Sequence, residues 1–298
     1  MINILFLFII LGNGPTFSES MDDYKSDDVD VTNTAIIQDI PEGYKLLWSD
    51  EFNLDGIPDE KYWIYEEGFV RNEELQWYKK ENASIKDGVL YLEGRREIVP
   101  NDRYEEGSRS WRQNREFAEY TSACIKTRDK FSFQYGILEV RAKIDTNMGM
   151  WPAIWTLGDE RRWPACGEVD VMEYYRIKGE PTILANAAWV SDASNNRAVW
   201  NSSKIPYSKF TENDPSWHEK FHIWKMDWTE DHIRLYLDDQ LLNETDLAKT
   251  ANSDGFNPFK QPHYILLNLA IGAHGGDPSG TEMPKTYLVD YVRVYQKK

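Results

Sequence analysis

Positive charge is scarce in this sequence. Lys and Arg number 34 against 50 Asp and Glu, a formal net charge of −16 at pH 7, and a chain so negative repels phosphate, which excludes nucleic acid and anionic membranes as partners. Cysteine is scarcer: Cys124 and Cys166 are the two present, enough for one bridge and too few for a disulfide scaffold, and the sequence does not decide whether they pair. Histidine is absent before His218, so Cys166 has no nearby base to activate it and reads as a small buried residue. His218, His222 and His232 lack the carboxylate pairing of a zinc site. Long apolar runs are missing too. The N-terminal run ILFLFIIL, residues 4–11, is too short to span a bilayer and has the size of a signal-peptide core. Residues 1–20 are therefore expected to be a signal peptide and 21–42 a disordered lead rich in Asp, Ser, Asn and Thr, which would place the protein outside the cytoplasm: secreted, periplasmic or at the cell surface. No linker interrupts residues 43–298, so one domain, acting as a monomer, is expected there.

Aromatic side chains and short alternating segments, by contrast, are plentiful. Twelve Trp and seventeen Tyr supply flat faces with polar edges, which is what stacking on a sugar ring requires, although Trp48, Trp63 and Trp224 fit the core. ASIKDGVLYLEGR, residues 83–95, reads as a hairpin turning at Asp87-Gly88. Further strands are expected within 121–126, 131–144, 182–189, 221–228, 233–237, 264–271 and 287–296. Strands joined by turns, with almost no helical periodicity, make an all-β sandwich of antiparallel sheets. Residues 97–120 read as a long polar loop in which Trp111 is either a substrate contact or a surface anchor. Asn268 interrupts the apolar strand 264–271, and its amide either binds a ligand hydroxyl or is buried against backbone.

The most informative stretch is 151–175, WPAIWTLGDERRWPACGEVDVMEYY. Glu168 and Asp170 alternate with Val169 and Val171, so in a strand the valines face the core and the acids face outward. Glu173 breaks the alternation, since five residues after Glu168 an ideal strand would turn it inward. A β-bulge at Val171-Met172 would return it to the acidic face. Three carboxyls on one face repel one another unless they share protons, and function is the reason to tolerate that arrangement. A carboxylate nucleophile and a protonated carboxyl about 5–5.5 Å apart perform glycoside hydrolysis with retention. Trp151, Trp155 and Trp163, just upstream, are expected to line the cleft as sugar-stacking platforms.

GEVDVMEYY preceded by WPAIWTLG resembles the bulged Glu-x-Asp-x-x-Glu signature of glycoside hydrolase family 16, the laminarinase and β-glucanase family. LLWSDEF, NEELQWY, KFSFQYGILEVRAK and LVDYVRVYQ extend the likeness from Leu47 to Tyr295. The resemblance implies a concanavalin A-like jelly roll of two curved antiparallel sheets with the acidic strand on the concave side. It implies Glu168 as nucleophile, Glu173 as acid and base, and Asp170 as the residue that orients Glu168 and adds negative charge near Glu173. Asn72 would bind sugar on the donor side and Asn186 on the leaving-group side, with Glu139 and Arg141 in the cleft near the nucleophile; the alternative for that last pair is a surface ion pair. Asp290, with main-chain oxygens of Glu51 and Gly88, would hold a structural calcium, and catalysis would need no cofactor. The implied substrate is a β-1,3- or mixed β-1,3/1,4-glucan. Ordinary laminarinases carry a histidine-bearing segment near 182–189 that is missing here, which leaves the linkage open. Within the family the alternative is an endo-β-galactosidase acting on poly-lactosamine or algal galactans, and outside enzymes it is a lectin-like binding module.

Overall fold

Period-two alternation, with Asp and Gly at the turns, makes strands of most of this chain. A computed structural model describes residues 40–192 and 197–298; the apolar run 4–11 and residues 21–39 lie outside the described residues. The first strands are β1 (Tyr44–Asp50), β2 (Ile64–Tyr65), β3 (Gln76–Tyr78), β4 (Ala83–Lys86), β5 (Val89–Pro100) and β6 (Phe117–Ser122). Then come β7 (Cys124–Lys126), β8 (Gly136–Lys143), β9 (Met150–Gly158), β10 (Glu168–Ile177), β11 (Glu180–Asp192) and β12 (Arg197–Pro206). The last are β13 (His222–Trp228), β14 (His232–Leu237), β15 (Gln240–Asp246), β16 (His263–Ile271) and β17 (Lys285–Lys297). The hairpin turns at Asp87-Gly88 and Asp238-Asp239 have left-handed central residues, at φ 53° and 75° and at 46° and 66°, as turns matched to strand twist require.

The strands form two sheets. A ten-stranded sheet runs β15-β14-β13-β8-β17-β5-β6-β3, with β1 beside β17 and β4 beside β5, and a seven-stranded sheet runs β12-β11-β10-β9-β16-β7-β2. Pairing is antiparallel apart from β3 with β6. This is the jelly-roll sandwich, and Pro41–Lys298 holds together as one unit. Its core lies between the sheets. Leu138, Val140 and Ala142 of β8 and Val289, Val292 and Val294 of β17 meet Met150 and Ile154 of β9, Val169 and Val171 of β10 and Leu267 of β16. Trp63 and Trp224 are fully enclosed.

Because this one core joins both sheets, its large side chains set the stability of the whole unit. Leu267 is 0% exposed on the strand beside β9, and Leu267→Ala is expected to cost about 2–5 kcal/mol through lost burial and the cavity left behind. Urea unfolding should show a lower midpoint with an unchanged slope.

Candidate active site

The site is built on the face of the seven-stranded sheet turned away from the core. On β10, Val169 and Val171 enter the core while Glu168 stands opposite Ala188 and Asp170 opposite Asn186 of β11. The ladder then skips, and Glu173 faces Leu184, so three steps along β10 match two along β11. On the other side Asp170 faces Trp155, Met172 faces Ile154 and Glu173 faces Ala153 of β9. The bulge therefore lies at Val171-Met172, sends both of those side chains inward at 0% exposure, and brings Glu173 back to the face of Glu168 and Asp170. Gly167 makes the entry to this strand possible: its φ is 78°, and a Cβ there would come within 2.7 Å of Pro258.

Neighbouring strands and the turn before β10 supply the donors that hold the carboxyls. The indole N–H of Trp163 donates to Glu168 Oε2, and that of Trp151 donates to Glu173 Oε1 at 3.0 Å. Asn186 Nδ2 donates to Asp170 Oδ2 and to Glu173 Oε2, at 3.0 Å each. Two oxygens that share one nitrogen at that distance can be no farther apart than twice it, so Asp170 and Glu173 are close neighbours. Asp170 is also hydrogen-bonded to Glu168, and two carboxyls in that contact must share a proton.

Burial raises the pKa of all three acids, but unequally. Asp170, 1% exposed, is pushed well above the usual carboxylate range by burial and then by the charges of Glu173 and Glu168. Glu173 is raised to about 7 by burial and then by the charge on Glu168. Glu168 is raised by burial, against which the bonds from Asp170 and Trp163 and the Arg71 guanidinium favour its charged form. Asp170 is thus driven toward its protonated form, Glu173 titrates near neutrality, and the donors around Glu168 favour its charged form. This alters the role expected for Asp170. After burial it is the negative charge on Glu168 that raises Glu173, and the hydrogen bond from Asp170 lowers it.

Arg71 is the residue that sequence reasoning missed. It pairs with Glu66, which also takes Lys126 at 2.9 Å, and its guanidinium lies 5.1 Å from the ring of Trp155. Its one signal in the sequence is its place immediately before Asn72 in an aromatic-rich segment. Asn72 itself is exposed, with a left-handed φ of 55°, and donates to Glu74 at 3.2 Å. Trp155 lies on the acidic face at the end where the Arg71 segment packs.

The structure bears on four expectations, overturning three and giving Trp111 its anchor reading. Glu139 and Arg141 are not near the nucleophile: β8 belongs to the ten-stranded sheet, its Leu138 and Val140 fill the core, and alternation turns Glu139 and Arg141 to the opposite outer surface of the sandwich. There Glu139 accepts from Tyr291 at 2.9 Å and Arg141 pairs with Asp290. Asn268 has neither a free amide nor a backbone partner. Its Oδ1 accepts from Trp155 at 2.7 Å and its Nδ2 donates to the Tyr78 hydroxyl at 3.2 Å, so it positions Trp155. Trp111 packs on Phe69 with ring centres 6.2 Å apart and lies against Arg112 and Arg115, which makes it an anchor for the 101–116 loop.

The calcium site is the fourth. Asp50 pairs with Val292 and Leu90 with Val289, which sets the Glu51 and Gly88 segments on either side of Asp290. The residues do not fit the ion. Arg141 occupies the Asp290 carboxylate, and among the described residues no group of three His, Cys, Asp or Glu could hold a metal. A guanidinium at the one available carboxylate opposes a divalent cation. Cys124 and Cys166 are both buried free thiols.

Comparison with known proteins agrees with this geometry. The model of the family described as Glycosyl hydrolases family 16 matches residues 72–293. The chain is 32% identical over 269 residues to a beta-glucanase of Rhodothermus marinus, with 85% of each chain covered. A solved structure from work on endo-acting O-glycanases, with which prominent members of the human gut microbiota initiate mucin breakdown, is 34% identical and has a TM-score of 0.78 over 87% of this chain and 93% of that one. SCLam, a non-specific endo-β-1,3(4)-glucanase, is likewise 34% identical over 87% of this chain and 93% of its own, with a TM-score of 0.70.

Proposed function

The chain belongs to glycosyl hydrolases family 16, and from that premise we propose that it is an endo-acting, retaining β-glycanase that cleaves internal bonds of β-1,3- or mixed β-1,3/1,4-glucans. The observation that carries this is the bulge, which sets Glu168, whose donors favour its charged form, and Glu173, whose pKa is raised to about 7, on one face with Asp170 between them. Glu168 attacks the anomeric carbon as Glu173 gives its proton to the departing oxygen, forming a glycosyl ester. Glu173, now a carboxylate, takes a proton from water, whose oxygen displaces Glu168. Two inversions leave the configuration retained. The carboxyls perform every proton and bond transfer, so the chemistry draws on no cofactor. A polymer substrate and the apolar run 4–11 favour a place outside the cytoplasm; N-terminal sequencing of exported protein would test this, and a retained Met1 would count against it.

A second reading has its own support. The O-glycanase structure has the higher of the two TM-scores, 0.78 against 0.70, which favours galactose-containing host glycans such as poly-lactosamine. Product analysis on laminarin, barley glucan, agarose and desulfated mucin chains separates the two. Oligosaccharides from the glucans alone support the first reading, products from the mucin chains alone support the second, and no product from any of the four would reject both.

The protonation states also predict a bell-shaped pH dependence of kcat/KM. Glu173 must be protonated to act as acid, so activity should fall as pH rises through about 7. Glu168 must be ionised, and burial raises its pKa above that of an exposed glutamate, so the acid limb should begin at a higher pH than an ordinary carboxylate would give. A profile flat through pH 9 would remove Glu173 from its role.

A further inference from the structure

The acidic face continues past the carboxyls to the edge of its sheet. On β12, Trp200 stands opposite Ala188, Ser202 opposite Asn186 and Lys204 opposite Leu184. Across β11, the same Ala188 faces Glu168, Asn186 faces Asp170 and Leu184 faces Glu173. Side chains of directly opposed residues share a face, so Trp200, Ser202 and Lys204 stand on the side that carries the acids. The exposure pattern agrees: these three are exposed, and the alternate residues Val199, Asn201, Ser203 and Ile205 are half-buried. Ile205 packs on the core, and Asn201 donates to the Glu244 carbonyl at 2.8 Å and to Thr245 at 2.9 Å.

Trp200 is an unusual residue to leave in water. It is 44% exposed, and among the described residues no aromatic ring or cation lies against it. Its row places it two strand spacings from Glu168, about 9.5 Å, which is the reach of a disaccharide. Direction follows from the order of strands. The segment of Arg71 and Asn72, the donor side in the family resemblance, packs at Trp155 of β9, and β11 and β12 lie on the other side of β10, the side left for the departing chain.

We propose that Trp200 is a stacking platform for a neutral sugar ring beyond the cleaved bond on the leaving-group side, reached by a chain that crosses the acidic face from β10 to β12. The inference rests on the glycanase reading and adds to it where that side of the substrate is gripped. An exposed indole on an edge strand suits this use because its flat face covers the apolar face of a hexose without ordering any other side chain. It also makes the enzyme favour long chains, since a short leaving group ends before reaching it.

The test compares two substrates in one variant. One is a polysaccharide fragment with several sugars on the leaving side, the other an aryl β-glycoside of the same donor sugars. In Trp200→Ala the ratio of kcat/KM for the first over the second should fall roughly tenfold, the scale of one aromatic contact, mainly through KM. Trp200→Phe, which keeps a flat ring, should recover most of it. An unchanged ratio would overturn the platform, as would a Phe variant no better than Ala. If the wild-type chain cleaves neither substrate, the glycanase reading fails separately, and Trp200 is judged by affinity electrophoresis in gels containing laminarin, barley glucan or mucin. There retardation should weaken in Trp200→Ala, and equal retardation would overturn the proposal.

Discussion

Glu168→Gln is expected to lower kcat by about 10³-fold or more while leaving the fold and oligosaccharide binding largely intact. The amide has the shape of the acid and still accepts from the Trp163 indole, but it cannot form the glycosyl ester. What it removes is the negative charge that Glu168 contributes to the trio. The neighbours should respond: Glu173 is raised to about 7 partly by the charge on Glu168, so in the variant it should titrate lower. Two measurements therefore bear on the assignment. Turnover of a good substrate gives the first, and a variant that keeps more than a few per cent of the wild-type rate would remove Glu168 from the nucleophile's role. The second is the titration of Glu173 by carbon-13 NMR, in which an unchanged midpoint would mean that the two carboxyls do not sense each other.

Glu173→Ala should show a different defect, about 10²–10⁴-fold on natural substrates but far smaller on a substrate whose leaving group departs without a proton. With such a substrate the first step survives and the second stalls for want of a base. Azide needs no deprotonation, so it should restore turnover and yield a glycosyl azide of the substrate's own β configuration. In the wild-type enzyme the newly released reducing end should appear first as the β-anomer. The reason is geometric: Asn186 touches Asp170 and Glu173 together at 3.0 Å each, and Asp170 is bonded to Glu168. So compact a trio favours the roughly 5–5.5 Å separation of retention over the roughly 6.5–9.5 Å that inversion needs for a water between the catalytic carboxyls. Proton NMR during early hydrolysis showing the α-anomer first would overturn the roles of both glutamates. The alkaline limb of the pH profile should also vanish in the azide-rescued variant, since the group that sets it is gone.

The trio was legible in the sequence because one strand encodes both its facing and its exception. Val169 and Val171 fix the inward side by period two, and Glu173 is out of phase by one residue, which is what a bulge corrects. The all-β class followed from the same alternation. Alternation says which residues share a face, however, and not which sheet the strand joins. That is why Glu139 and Arg141, correctly grouped on β8, lie on the other side of the sandwich from Glu168. Arg71 was invisible for a related reason: it reaches Trp155 from a loop, where no periodicity constrains direction. Asn268 and Asp290 were readable as polar residues in apolar strands, but their partners, Trp155 and Arg141, lie 113 and 149 positions away in the chain.

The crowding of Glu168, Asp170 and Glu173 also sets a condition on how well the protein survives alkaline conditions. A carboxyl whose folded pKa lies above its unfolded value adds stability that is complete below the unfolded pKa and lost as pH rises through the folded one. For Glu173 that loss runs from the ordinary glutamate range up to about 7, and Asp170, raised well above the ordinary aspartate range, adds a loss of the same sign. The enzyme is therefore expected to melt at a lower temperature at pH 8 than at pH 5 on account of the residues it works with. Glu173→Gln, inactive on natural glycans, should melt higher than the parent at pH 8 and close to it at pH 4. Selection for turnover has kept in this sheet a cluster that selection for heat resistance alone would have replaced with amides.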